Sequence, residues 1–480
     1  MALSITNSYI NMYAKNFTTD IILINPPSFE ECTLNTQPIP LGLIFINRYL
    51  QINGFRSKIL NLSNYQNWNE IYIIIKNMKK PSIIGISSYT RQRFSTLKLV
   101  NIIKSVFKET IICLGGPHAS FLDEAILKHN PNVNYIIRGE GEETFLDIIR
   151  SFYDSDLDNR RQKILGISYI DNYGEYIRMP DRKCIKELSK LPLPLQTKEE
   201  LGSVMMSDSL KFHFKDSSDA SFKMAPIITS RGCNGNCRFC CNQSFWGNNR
   251  CTSAEYAFKQ FEYYYNQGIS CFDVYDDNFT SNEQLVLRLC NMLIDGQMQV
   301  KWWCSSRVDT ISELLLEKIK QAGCFMISYG VESGSQLILD NINKGVLLKD
   351  IEFACALSKK VGLPYRITIS IGHLGETEET IKETIRFINK IKPVQVAIFI
   401  LKVYPGTPLA QFLSERQILS DEYWFNENAE IVPFFTYEHT EKELLEFRNQ
   451  IVDNINAKIL NRYEDDSLSI ELNLDWENVE

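Results

Sequence analysis

The feature that most constrains the fold of this chain is an alternation of short β-rich runs with longer amphipathic stretches. In the N-terminal third, five apolar runs rich in Ile, Val and Leu are separated by stretches whose apolar residues recur with a helical period. Continuous apolar strands separated by helices indicate a parallel sheet that helices cover on both faces. The predicted strands are Ile21–Asn25, Lys58–Leu62, Ser82–Ser88, Thr110–Gly115 and Val133–Arg138.

This pattern predicts an α/β fold with a doubly wound, Rossmann-like domain over residues 1–153. Such a sheet binds its ligand at the carboxyl ends of the strands, where the strand order switches. Several glycines fall in the loops expected there, and glycine lets a ligand approach the backbone closely. No GxGxxG follows the first strand, so a nicotinamide-binding domain is not supported. The loops are Asn25–Ser28, Ser87–Thr90, Gly115–His118 and Gly139–Glu142.

A second alternation covers residues 226–410 and has six predicted strands separated by helices. Six such units predict a partial (β/α)6 barrel, two units short of the closed eight-stranded form. Functional side chains of barrels follow the carboxyl ends of the strands. The predicted strands are Pro226–Ser230, Cys271–Tyr275, Val300–Ser305, Phe325–Val331, Tyr365–Gly372 and Gln395–Tyr404.

The remaining segments are a connector over 154–225 and a C-terminal region over 411–480. In the connector, a turn sequence between 167–170 and 175–179 predicts a hairpin, and Met205–Phe222 is expected to be a surface excursion. The C-terminal region is predicted to be helical at Glu441–Leu460, with Glu464–Glu480 solvated or loosely packed.

The charge balance excludes some classes of partner. The chain has 51 basic and 58 acidic residues, a net charge of -7, which gives no support for nucleic-acid binding. No apolar run approaches the roughly 20 residues that cross a bilayer. The N-terminal residues also lack the pattern of a secretory signal. We therefore expect a cytoplasmic protein without a transmembrane segment.

The strongest chemical signal is a cysteine cluster directly after the first predicted barrel strand. Cys233, Cys237 and Cys240 have the spacing C-x3-C-x2-C, and three thiolates on one short loop can hold three corners of a cubane iron–sulfur cluster. The fourth iron then remains open to a substrate. A structural zinc site needs four ligands, and no second Cys or His pair lies at zinc-finger spacing. Cys241 could be counted as a fourth ligand, but adjacent residues rarely point at one metal.

This motif in a partial barrel resembles the radical S-adenosylmethionine (SAM) enzymes, with Phe239 at the aromatic position. The resemblance extends over roughly residues 20–410 and is similar to the branch that carries an N-terminal cobalamin-binding domain. At the fifth strand, His373-Leu374 replaces the Leu-Pro that is usual in the family. The segments that carry the resemblance are Asn25–Pro27, Leu114–His118, Arg138–Glu142, Tyr275–Phe279, Ser306–Asp309, Gly330–Ser335, Lys344-Gly345, Gly372–Thr377 and Tyr404–Leu409.

The resemblance implies three cofactors: a [4Fe–4S] cluster, SAM and cobalamin. It implies that Arg307 pairs with the SAM carboxylate and that Glu332, Asp276 or Asp277 accepts from its amino group or ribose. The alternative is that these charged residues cap helices or form salt bridges at the barrel rim. Phe239 is expected to pack on the adenine or shield the cluster. The glycines of Gly330–Ser335 are interpreted as a close approach of backbone to the cofactor.

The cobalamin prediction can be tested against the five histidines of the chain. None of them lies in D-x-H-x-x-G, the motif that supplies a cobalt-binding histidine in one class of cobalamin domains. We therefore expect cobalamin to be held by loop backbones and apolar walls, without a protein imidazole on cobalt. His118 is expected near the cofactor but not on the metal, and a sheet domain without any cofactor is the alternative. The residues expected to contact cobalamin are Ser87, Gly115, Gly116, His118 and Gly139.

The family resemblance favours methylation of an unactivated carbon or phosphorus centre in a small molecule or peptide. SAM would then serve as both radical source and methyl donor, and a flavodoxin or ferredoxin would supply electrons. Radical rearrangement, cyclisation or oxidation is the first alternative, and a non-catalytic iron–sulfur protein is an alternative of another class. Methylthiolation of tRNA is disfavoured because the chain lacks a cysteine-rich N-terminal domain and a basic C-terminal module. No catalytic residue and no individual substrate can be assigned from the sequence.

The cysteine spacing predicts which thiols are essential. Replacing Cys233, Cys237 or Cys240 singly with alanine should abolish 5′-deoxyadenosine formation by the reconstituted protein, because each removes a cluster ligand. Cys241→Ala is the matched control and should retain both the four-iron cluster and SAM cleavage. Iron content and 5′-deoxyadenosine yield are the measurements, and loss of both in Cys241→Ala would refute the ligand assignment.

Overall fold

The computed structural model describes residues 20–28, 40–152, 163–197, 224–430, 433, 438–455, 457–462 and 470–474. The predicted excursion Met205–Phe222 lies outside these residues. Two large sheets organise the described chain, one of seven strands and one of eight. The α/β class that the sequence predicted is therefore confirmed.

The N-terminal sheet contains the five predicted parallel strands in the order β2-β1-β3-β4-β5. All five residues of the first strand are buried, as expected for a strand that helices cover on both faces. The strand order of the sheet switches between β1 and β3, and β1 pairs in parallel with both β2 and β3. The elements are β1 Ile21–Asn25, α1 Leu41–Ile52, β2 Ser57–Asn61, α2 Trp68–Asn77, β3 Ile83–Ser87, α3 Arg93–Val106, β4 Ile111–Gly115, α4 Pro117–Phe121, α5 Asp123–His129, β5 Tyr135–Ile137 and α6 Glu142–Phe152.

A β-hairpin extends this sheet beyond residue 153, where the predicted domain ended. Strands β6 (Ile167–Ile170) and β7 (Tyr176–Arg178) add to the sheet in antiparallel orientation. The carboxylate of Asp171 forms the turn between them, because its Oδ1 accepts hydrogen bonds from the backbone N–H of Tyr173 and Glu175 at 2.8 and 2.9 Å. The predicted hairpin of the connector is thus structurally part of the N-terminal sheet.

The second sheet contains the six parallel strands of the partial barrel. A two-residue ladder, β9 with β10, stands apart from it near the first barrel strand. The elements are β8 Met224–Ile227, β9 Ser230–Arg231, α7 Asn242–Trp246, β10 Arg250–Cys251, α8 Ala254–Asn266, β11 Cys271–Val274, α9 Glu283–Asp295, β12 Lys301–Ser306, α10 Glu313–Gln321, β13 Cys324–Glu332, α11 Gln336–Asn341, α12 Leu348–Val361, β14 Tyr365–Ile371, α13 Glu378–Ile391 and β15 Gln395–Ile400.

The C-terminal region differs in part from its prediction. The predicted helix is present as α15 (Glu441–Asn454), after α14 (Pro408–Glu415). It is shorter than predicted, because residues 457–460 belong to a strand and not to the helix. Strand β17 (Ile470–Leu474) pairs antiparallel with β15, and β16 (Ala457–Arg462) pairs with β17. The prediction that all of Glu464–Glu480 is solvated or loosely packed is wrong for β17. The pairing was hidden from the sequence because β15 and β17 lie far apart along the chain.

The segment after β15 docks the barrel onto the N-terminal domain. Its apolar residues Leu401, Leu409 and Trp424 belong to the same buried cluster as one face of the N-terminal sheet. The fully buried Arg93 of α3 donates to the backbone oxygens of Trp424 and Glu430 at 3.0 and 2.8 Å. The two halves therefore share a core. None of the described helices is long and apolar enough to cross a membrane.

Helix packing accounts for the glycine at 334, and the interpretation that the Gly330–Ser335 turn approaches a cofactor stays a prediction. A Cβ at Gly334 would lie 2.6 Å from the Cα of Thr384 and 2.6 Å from the Cβ of Phe387, both on α13. The turn after β13 can therefore lie against this helix only if residue 334 lacks a side chain.

Gly334→Ala should lower the free energy of unfolding by about 1–3 kcal/mol, because backbone atoms of α13 must move to admit the methyl group. Gly42→Ala is the matched control, since a Cβ at this position would have no neighbouring atom within 4 Å, and it should be neutral or stabilising by up to about 1 kcal/mol. Denaturant titration of both proteins tests this, and equal midpoints would contradict the packing argument.

Candidate cofactor sites

The cysteine loop is closed at its base by the short ladder of β9 and β10, in which Arg231 pairs with Arg250 and Ser230 with Cys251. The loop can close this tightly because Gly232 adopts a φ of +85°, and a Cβ there would lie 2.8 Å from the carbonyl oxygen of Gly247. The side-chain amide of Asn249 also donates to the Gly232 oxygen at 2.8 Å. Residues 232–249 thus form a loop whose two ends are joined near the first barrel strand.

Backbone N–H groups point at two of the three predicted cluster ligands. Gly235 donates to Cys233 Sγ at 3.3 Å and Asn242 donates to Cys240 Sγ at 3.5 Å. Burial raises the pKa of Cys240 to about 12, so this thiol holds its proton until a metal displaces it. Among the described residues, no three His, Cys, Asp or Glu side chains converge on one ion.

Arg307 lies directly beside the cysteine loop. A Cβ at Gly235 would be 2.7 Å from Arg307 Nη1 and 3.4 Å from Cys233 Sγ, so glycine is required for this approach. The guanidinium is held by the carboxylate of Asp309 at 2.9 and 2.8 Å and by the backbone oxygen of Lys344 at 2.9 Å. Arg307 therefore faces the cluster position, but its predicted contact with SAM would have to share the guanidinium with Asp309.

Glu332 forms a salt bridge of 2.9 Å with Lys344, and their side chains are only 12% and 6% exposed. Gly330 makes room for it, because a Cβ there would lie 2.8 Å from Glu332 Oε1. Burial by itself would lower the pKa of Lys344. Together, the neighbouring Glu332 carboxylate and Cys237 sulfur outweigh burial and raise this pKa above its usual value, so the ammonium stays charged. Sequence reasoning did not assign Lys344 a role. The signal for it was the Lys344-Gly345 pair that follows the fourth barrel strand.

The two aspartates after β11 have different surroundings. Asp276 is buried and accepts hydrogen bonds from the backbone N–H of Thr229 and Ser230 at 2.7 and 3.2 Å, and from both of their hydroxyls. Both carboxylate oxygens of Asp276 are therefore occupied by the segment that leads into the cysteine loop. This matches a structural contact at the barrel rim, which was the alternative to a role in binding SAM. Asp277 is exposed and hydrogen-bonds Asn242 and the N–H of Gly232, so it remains open to a ligand.

Phe239 packs against both hydrophobic cores from its position in the cysteine loop. Its ring centroid lies 5.5 Å from that of His373, the residue at which the chain departs from the family pattern. Burial lowers the pKa of His373 to about 3, so this imidazole is neutral. The proposed roles of Phe239 at adenine or cluster stay predictions.

A cavity of 640 Å³ lies where the carboxyl ends of the N-terminal strands face the barrel. Four of the five residues predicted for cobalamin line it: Ser87, Gly115, Gly116 and Gly139. Gly116 has a φ of +94°, and a Cβ there would lie 2.8 Å from the Ser88 oxygen. The barrel contributes the opposite wall with Ile228, Arg231, Cys241, Asn242, Phe245, Trp246, Tyr275, Tyr404 and Pro405. The lining is mostly apolar with a few polar groups, as is usual for cofactor sites.

His118, the fifth predicted residue, does not line this cavity. It is buried, with its Nδ1 3.3 Å from Thr90 Oγ1 and its ring edge-on to Trp424 at 6.0 Å. Burial lowers its pKa to about 3. None of the described residues that line the cavity is a histidine.

Comparison with known families agrees with this geometry. Residues 227–388 match the model of the radical SAM superfamily, and residues 33–149 match the B12 binding domain. The fold and the cysteine loop define a radical SAM enzyme with a second cofactor domain. The chain belongs to the radical SAM enzymes that carry an N-terminal cobalamin-binding domain, and its cofactors are a [4Fe–4S] cluster, SAM and cobalamin.

Several relatives and solved structures resemble the chain. An uncharacterized methyltransferase of Pyrococcus horikoshii is 28% identical over 84% of this chain and 85% of its own length. An anaerobic magnesium-protoporphyrin IX monomethyl ester cyclase of Rubrivivax gelatinosus is 24% identical over 81% of this chain and 68% of its own. The fold matches the methyltransferase TsrM of Kitasatospora setae, with cobalamin and a [4Fe–4S] cluster bound, with a TM-score of 0.68 at 16% identity over 83% of this chain and 78% of TsrM.

The absence of histidine from the described cavity wall gives a spectroscopic prediction. The cob(II)alamin form of the protein should show no nitrogen hyperfine coupling from a protein histidine. Paramagnetic resonance spectra of protein grown with ¹⁴N- and ¹⁵N-histidine should therefore be identical. A difference between the two spectra that disappears in His118→Asn would show that His118 binds cobalt and would refute the prediction.

Proposed function

We propose that the protein is a cobalamin-dependent radical SAM methyltransferase that acts on an unactivated carbon or phosphorus centre of a small-molecule or peptide intermediate. The observation that carries the proposal is the shared cavity, because its two walls come from the two cofactor domains. A substrate between these walls would lie within reach of both cofactors, and group transfer requires such proximity. When bound, the cluster and SAM supply a substrate radical and cobalamin supplies the methyl group.

The residues of the chain provide a suitable enclosure for this chemistry. Tyr89 and Tyr275 are 51% and 42% exposed, respectively, although both line the cavity, so they project into its space. Phe245, Trp246 and Tyr404 add further ring surface. Aromatic walls exclude water, and a radical intermediate needs such protection from competing reactions. Near the cluster, Arg307 and Lys344 offer positive charge to the thiolates and to an anionic cofactor group.

The methyltransferase relatives support this reaction class. Besides the Pyrococcus protein, a cytidylyl-2-hydroxyethylphosphonate methyltransferase of Streptomyces wedmorensis is 24% identical over 68% of this chain and 67% of its own length. The cyclase relatives favour a second candidate, radical cyclisation without methyl transfer. We further propose a cytoplasmic location and a flavodoxin or ferredoxin as electron donor.

Product stoichiometry separates the two reactions. The reduced, reconstituted protein should convert a metabolite in a cell extract and transfer a labelled methyl group from SAM to it. With the isolated substrate, S-adenosylhomocysteine and 5′-deoxyadenosine should form in equal amounts, because one SAM donates the methyl group and another is cleaved to the radical. Cys240→Ala protein provides the blank. Formation of 5′-deoxyadenosine and product without S-adenosylhomocysteine would replace the proposal by cyclisation or rearrangement.

A further inference from the structure

We propose that Arg231 is a positioning residue that couples the two cofactor sites, so that an assembled cluster strengthens cobalamin binding and bound cobalamin strengthens cluster retention. The inference rests on the cofactors of the family and not on the fate of the methyl group. It concerns a buried ion array that joins the base of the cysteine loop to the loop after β5.

The array consists of two arginines and two glutamates. Arg231 donates to Glu140 Oε1 at 2.7 Å through Nη1 and to Glu142 Oε1 at 2.6 Å through Nη2. Arg250 donates to the same Glu140 oxygen at 3.0 Å. The side chains of Arg231, Glu140 and Glu142 are 4%, 4% and 3% exposed, so water does not screen these bonds.

Both ends of the cysteine loop therefore bind one carboxylate of the other domain. Arg231 and Arg250 are directly paired in the β9–β10 ladder, and Arg231 precedes Cys233 by only two residues. Glu140 lies between Gly139 and Gly141 in the loop that lines the cavity. A shift of the cavity loop would thus move the base of the cluster loop, and the reverse also holds.

The array is also held against rotation. The guanidinium of Arg231 lies 4.5 Å from the ring centroid of Phe45 and 5.4 Å from that of Trp246, one residue from each domain. Glu140 Oε2 accepts from the backbone N–H of Ile185 at 2.6 Å. A planar guanidinium that donates to two carboxylates and lies beside two rings fixes distance and angle together, whereas a lysine would fix neither.

Coupling of this kind is reciprocal and typically changes affinity by about 5- to 150-fold. The measurement is the dissociation constant of hydroxocobalamin, from quenching of tryptophan fluorescence under anaerobic conditions. It is made on the protein with its cluster reconstituted and after removal of iron with a chelator. The wild-type protein should bind cobalamin at least about fivefold more tightly in the cluster-loaded form.

Arg231→Lys should reduce this ratio towards one, even if cobalamin binding weakens in both forms because residue 231 lines the cavity. Arg182→Lys is the matched control. Arg182 donates to Glu143 at 3.2 Å and to Asp147, on the same helix α6 that begins with Glu142, but it contacts no residue of the cysteine loop in these bonds. The ratio of cobalamin affinities with and without the cluster should be the same in Arg182→Lys as in the wild type.

A second variant separates positioning from stability. A quadruple variant, Arg231→Met and Arg250→Met with Glu140→Gln and Glu142→Gln, removes all four charges of the array, so no uncompensated ion remains buried in it. It should unfold at a higher temperature than Arg231→Met alone and still lack the coupling. The same cobalamin dissociation constant for the wild type with and without its cluster, or a wild-type ratio in Arg231→Lys or in the quadruple variant, would overturn the proposal. These outcomes need no substrate and are independent of the methyl-transfer assay.

Discussion

The carboxylate of Glu140 is the constraint on which the geometry of this enzyme depends. Its two oxygens accept bonds from both ends of the cysteine loop and from the connector. A buried carboxylate is costly unless its partners are all in place, so this arrangement tolerates little displacement. The shared core around Trp424 also joins the two domains, and there the buried Arg93 donates to the backbone oxygens of Trp424 and Glu430. The ion array and this core together fix the N-terminal domain against the barrel.

Much of the fold could be predicted from the sequence because its strands are buried on both sides. A strand such as Ile21–Asn25 has no polar face, and the run of apolar residues gives both its position and its parallel pairing. The cluster loop was equally accessible, since Cys233, Cys237 and Cys240 lie within one short segment and their spacing carries the chemistry. Local signals of this kind do not depend on knowing which distant segments meet.

The parts that sequence reasoning missed depend on distant segments. The bond between Arg231 and Glu140 joins residues 91 positions apart, and nothing near either residue indicates it. Asp276 has the residue type and strand-end position expected of a cofactor ligand, but its oxygens are occupied by Thr229 and Ser230. Strand β17 has a weak pattern of its own and is defined by its pairing with β15. In each case the deciding partner is invisible in the local sequence.

The choice between methylation and cyclisation must lie in the cavity wall. Relatives named methyltransferase and cyclase cover 84% and 81% of this chain, so the extent of similarity does not distinguish the reactions. The wall from the barrel carries phenols at Tyr275 and Tyr404 and the thiol of Cys241 close to the cluster loop. In the proposed reaction these groups would surround the substrate radical, so substitutions at them are the ones expected to shift the outcome between methyl transfer and ring closure.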